Sequence, residues 1–167
     1  MIASSRNPRQ TTHEDRRSAR LAGVQALYQM ELTGEDAATV AQEFIEHRFA
    51  DAPFAAAPDE TLFRAIVDGV PHRQVTIDRA IAAALSENWR LQRIDSILRA
   101  ILRAAAYELV DRPDIPARVV IDEYIEIARR FSDDEQCAFV NAVLDRIAHA
   151  ERAAEFAEAS RHGDAAS

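Results

Sequence analysis

Arg16 and Arg20 stand four residues apart with Arg17 beside Arg16, a spacing that puts the outer pair on one helix face. Each guanidinium offers a planar fork of donors that matches phosphate oxygens, so the cluster is a candidate for nucleic-acid contact. Glu14 and Asp15 lie next to it, and ion pairing on a solvated surface is the competing reading. Towards the other end, Phe139-Val140-Asn141 joins a ring that can stack on an unpaired base to an amide that can read a base edge. Residue type alone favours Phe139 and Val140 as core. Tyr28 poses the same choice, core of its helix or an aromatic at its edge.

Other residues with chemical potential fall short of a catalytic arrangement. Cys137 and His149 are a thiol and a base, but on one helix they are separated by roughly 18 Å, far beyond hydrogen-bond reach. Glu43 and His47 share a helix face, and a single pair of that kind is a solvated surface feature more often than a metal site. None of the five histidines has a glutamate three residues before it, which removes the di-iron bundle signature. Four scattered glycines form neither a dinucleotide-binding nor a phosphate-cradling loop. The residues therefore point to binding without catalysis, with no cofactor and no metal.

Charge sharpens this. The chain of 167 residues carries −8 overall, which argues against a nucleic-acid binder if taken as a sum. Residues 1–20 nevertheless hold Arg6, Arg9, Arg16, Arg17 and Arg20 against two carboxylates, +3 locally, leaving −11 for the rest. A lone cysteine fits a reducing compartment, and no stretch approaches the ~20 apolar residues of a membrane span, so a cytoplasmic protein is expected.

Few glycines and prolines amid Ala, Leu, Ile, Glu and Arg predict an all-α fold of about seven helices. Residues 1–12 read as a flexible basic arm, 13–149 as one helical domain and 150–167 as an acidic, frayed tail. The first helix is expected to start at a Thr11–Glu14 capping box, carry Leu21, Val24, Tyr28 and Leu32 on one face, and stop at Gly34. A second helix is expected over about 36–49. Pro71 interrupts the next segment, yet Phe63, Val70, Ile77 and Ala84 keep a seven-residue phase across it, which predicts one helix bent there. Residues 94–110 bear the widest apolar stripe and should lie centrally. Two further helices follow, over about 117–131 and from a Ser132–Glu135 capping box to about 149.

Three segments resemble one family in particular. RRSARLAGVQALYQMEL (Arg16–Leu32), ILRAAAYELVDRPDIPARVVIDEYIEIARRF (Ile101–Phe131) and AFVNAVLDRIA (Ala138–Ala148) together are similar to the NusB family over about residues 14–149. The resemblance implies two packed three-helix bundles and a transcription antitermination factor. Such a factor binds single-stranded boxA RNA of ribosomal transcripts together with the ribosomal protein NusE, in a complex that joins RNA polymerase. It carries over Arg16, Arg17 and Arg20 as RNA contacts, with Tyr28, Phe139 and Asn141 near the bases. Both monomers and homodimers occur in the family. The alternative is a NusB-like helical module that binds protein or RNA outside antitermination. Ser18, Leu98, Ala138 and Ala142 depart from the family's usual arginine, acidic, basic and glycine positions.

Overall fold

The structure is a computed structural model and describes residues 12–51, 54 and 56–157. Seven α-helices account for most of them: α1 (His13–Thr33), α2 (Ala37–Glu43), α3 (Glu60–His72), α4 (Gln74–Ala84), α5 (Ser96–Asp111), α6 (Ala117–Phe131) and α7 (Asp134–Glu151). A π-helical turn, Phe44–Arg48, extends α2, and a 3-10 turn, Leu91–Arg93, precedes α5. The described residues contain no strand. None of their helices is long and apolar enough to cross a membrane.

The helices fall into two sets that share a spine. α1, α2 and α3 pack on one another, α4 and α6 each pack on α7, and α5 touches α1, α3, α4, α6 and α7. This is the central place its wide stripe requires: Ile101, Leu102, Ala104, Ala105, Ala106 and Leu109 are all fully buried. At Gly69 of α3 a Cβ would run into the ring of Tyr107, so only glycine lets α3 settle on α5 at that point.

Helix ends follow from cap chemistry, with two boundaries one residue from those expected. α1 is capped by Thr12, whose hydroxyl accepts from the Asp15 N–H while the Asp15 carboxylate accepts from the Thr12 N–H. Aspartate thus takes the part expected of Glu14, and Thr11 lies outside the described residues. α7 is capped in the same way by Asp133 and Gln136 rather than Ser132 and Glu135. Ser132, in extended conformation, closes α6 instead. Gly34 ends α1 with φ +74°, the left-handed conformation that glycine takes at least cost.

The apolar phase does run through Pro71. The proline sits inside α3, and only Arg73 (φ −107°, ψ 17°) leaves helical geometry before α4 begins. The carbonyl of Arg73 accepts from Ile77 N–H at 2.9 Å, so the helix resumes in register and Phe63, Val70, Ile77 and Ala84 all reach the core.

The boundary expected at residue 150 falls inside α7. Arg152 follows that helix and is 7 % exposed. Its guanidinium donates to the carbonyls of Glu108, Leu109, Arg112 and Ile115, the open end of α5 and the turn after it. A cation at these carbonyls also meets the negative end of the α5 dipole. Glu155 completes the arrangement by accepting from Arg152 and from the Ala117 N–H that opens α6. Residues 158–167 lie outside the described residues.

Candidate nucleic-acid interface

The three arginines of α1 have three different fates. Arg16 is exposed at the rim of a cleft of about 420 Å³ shared with His13, Asp59, Arg112 and Asp114. Arg17 is half-exposed and forks onto Glu123 of α6, its Nε and Nη2 donating to the two carboxylate oxygens at 3.0 and 3.1 Å. Those hydrogen bonds, with the carboxylate's charge, hold the guanidinium above its ordinary range. Arg20 is only 2 % exposed. Expected as a phosphate contact, it instead turns into the core between α1, α5 and α6, where little of it is open to a ligand.

There Arg20 meets Glu108, which is fully buried, through Nε at 3.0 Å and Nη2 at 2.9 Å. Tyr124 of α6 donates its hydroxyl to the same carboxylate at 2.5 Å. Burial works against the Arg20 charge, but the hydrogen bonds and charge of Glu108 outweigh it and raise the guanidinium further. Burial first, then the neighbouring Glu108 charge, pushes the Tyr124 phenol well above its usual range, so it stays a neutral donor. A sign of this cluster stands in the sequence. Glu108 continues the apolar stripe of Leu98, Ile101 and Ala105 at helical spacing, and a carboxylate on a buried stripe calls for a buried cation.

Arg17 and Asn141 are brought together across α6, on the walls of a groove of about 670 Å³. Asn141 is exposed there, while its neighbour Val140 is fully buried. Tyr28 opens elsewhere, half-buried in a groove of about 510 Å³ with Gln25, Leu32, Arg48 and Phe131. Phe139 is half-buried too and packs against Trp89, ring centroids 5.4 Å apart, at a cleft of about 380 Å³ that includes Leu98. The six residues therefore spread along α1 and α7 rather than forming one pocket, and one of them is core. Trp89 and Phe131, exposed by 50 % and 42 %, are surface aromatics that sequence reasoning missed. Only a polar connector marks Trp89 in the sequence, and only the Ser-Asp-Asp that follows it marks Phe131.

Among the described residues no group of three His, Cys, Asp or Glu is arranged to hold a metal. Cys137 is buried, and burial raises its thiol above the ordinary range, which keeps it a poor nucleophile.

Two helical sets on a common spine, with arginines and separated aromatics on the outer faces of α1, α6 and α7, define a surface-binding all-α protein. The family profile described as NusB family matches residues 17–149, and the chain belongs to the NusB family. It is 48 % identical over 157 residues to the transcription antitermination protein NusB of Maricaulis maris (strain MCS10), covering 92 % of this chain and 98 % of that one. The NusB of Rhizobium etli (strain CIAT 652) is 49 % identical over 140 residues, 82 % of this chain and 88 % of the relative. Among solved structures, T. maritima NusB superposes with a TM-score of 0.66 at 36 % identity over 83 % of this chain and 92 % of its own. A structure of the antitermination factors NusB and NusE in complex with dsRNA superposes with a TM-score of 0.67 over 83 % of this chain and 99 % of its own. At 24 % identity it bears on the fold alone.

Proposed function

We propose that this chain is a transcription antitermination factor that binds boxA RNA of ribosomal transcripts together with NusE. The observation that carries the reading is the match, at 48 % identity, to 98 % of a relative named for that activity. The protein acts by binding, in the cytoplasm where transcripts are made. Its complex with NusE joins RNA polymerase and suppresses termination. In this reading 13–149 is the RNA-binding domain. Arg16 and Arg17 meet phosphates, and Tyr28, Phe139 and Asn141 stand near bases. Phosphate contacts position the RNA and carry no sequence information, so discrimination falls to the last three. Exposure of Arg16 and Asn141 and partial exposure of Arg17, Tyr28 and Phe139 support those roles. The test is titration of boxA RNA and a scrambled RNA, with and without NusE. Preference for boxA that strengthens with NusE is the expected result, and equal binding of the two RNAs overturns the reading. Sedimentation in the same samples separates a heterodimer with NusE from a homodimer.

A further inference from the structure

Glu123 is a buried carboxylate committed to a half-exposed arginine. Its side chain is 6 % exposed and that of Arg17 is 43 % exposed. Both carboxylate oxygens are engaged, one by Arg17 Nε and the other by Arg17 Nη2, with His13 Nε2 3.2 Å away as well. A guanidinium is a rigid plane with five N–H donors, so a fork gripped along its Nε–Nη2 edge leaves the Nη1 end as the part a ligand can meet. Arg17 lines the groove that also contains Asn141, and the same groove is flanked by the carboxyl groups of Asp122, Glu126 and Asp134 and by a second arginine, Arg129.

Two consequences follow for an RNA backbone. Pairing with Glu123 cancels much of the attraction that a bare arginine would exert on any polyanion. The flanking carboxylates repel phosphates that settle elsewhere in the groove, which is how unwanted binding modes are disfavoured. The groove's other cation, Arg129, is paired with Glu126 at an exposed edge, so the phosphate seat that Glu123 governs lies at the outer end of Arg17, on the side shared with Asn141.

We propose that Glu123 is a positioning residue that sets RNA specificity. It fixes the outer end of Arg17 as a phosphate seat in this groove, and it suppresses indiscriminate binding through that arginine. The proposal rests on the RNA-binding reading above and adds to it a carboxylate whose role is selective.

The experiment compares wild type, Glu123→Gln, Arg17→Lys and Arg17→Ala by titration with boxA RNA and scrambled RNA at several salt concentrations. Glu123→Gln frees the arginine charge, so scrambled RNA should bind about three- to tenfold tighter and boxA RNA should gain less. The preference for boxA then falls at least about threefold, and the log affinity–log salt slope for scrambled RNA steepens by about 0.7, one added phosphate contact. Arg17→Lys keeps the charge but loses the two-point grip, and should lower the preference in the same direction. Because Arg17 is half-exposed, this variant decides the matter if Glu123→Gln melts too early to titrate. If both folded variants shift the two RNAs equally with unchanged slopes, Glu123 is structural only and the proposal fails, while the RNA reading stands. Wild-type binding of both RNAs by Arg17→Ala would instead show that Arg17 holds no phosphate, and the proposal falls with it.

Discussion

A guanidinium stays charged even in a protein core, where it is costly unless a carboxylate pairs with it, and Glu108 does this for Arg20 from the neighbouring helix. Tyr124 satisfies the same carboxylate, so α1, α5 and α6 are joined at a point with no unpartnered polar atom among the buried side chains described. Removing one member leaves an uncompensated buried charge, which costs roughly 3–5 kcal/mol. Glu108→Ala and Arg20→Ala should each lower stability by about that amount in denaturant titration. RNA affinity of the still-folded Arg20→Ala protein should stay near wild type. A large affinity loss in protein that remains fully folded would return Arg20 to the binding surface. Of the arginine trio, the sequence shows type and spacing but not depth. Arg16 and Arg20 share a face at i and i+4, yet one turn further along α1 that face has passed beneath α5 and α6. Only the partner Glu108, 88 residues away, tells the two apart.

At the scale of helices, the C-terminal end is the least expected part of the fold. Arg152 binds four carbonyls around the end of α5, and Glu155 bridges it to the first N–H of α6. Burial opposes the charge of Glu155, but the Ala117 N–H and Arg152 outweigh it and hold its carboxyl below the usual range. A carboxyl lowered on folding adds stability above its unfolded value, about 4.3, and that stability is lost as pH falls through the lower folded value. Arg152→Ala should therefore destabilise the protein at neutral pH. The gap between wild type and Glu155→Gln melting temperatures should narrow as pH drops below about 4. A gap that stays constant from about pH 7 to 3 would contradict the assignment. Composition hides this latch, because an alanine-rich acidic end resembles a fraying one and the carbonyls that hold Arg152 are contributed by residues about forty positions earlier. The continuity across Pro71 is legible for the opposite reason. Its evidence is local, a seven-residue phase that survives the proline, and the single break at Arg73 leaves that phase intact.

For the molecule as a whole, distribution of charge governs how it meets RNA. Three to five arginines on phosphates, the number the sequence suggests, correspond to a log affinity–log salt slope of about −2 to −3.5 on single-stranded RNA. Arg20 is withdrawn into the core and Arg17 is shared with Glu123, while Arg6 and Arg9 of the basic arm lie outside the described residues. Two to four contacts remain, and the slope should lie between about −1.4 and −2.8, with Arg16→Ala flattening it by about 0.7. A slope steeper than about −2.8 would require cations beyond Arg6, Arg9, Arg16 and Arg17. Such a shallow slope also implies that electrostatics alone binds RNA weakly in a chain of net charge −8, so selectivity rests on the residues near bases and on NusE. The central claim is therefore tested most directly by the affinity of this protein for boxA RNA relative to a scrambled RNA of equal length, measured at physiological salt with and without NusE. Tighter binding of boxA, by a margin that grows when NusE is present, is the predicted result; equal affinity for the two RNAs in both conditions would contradict it.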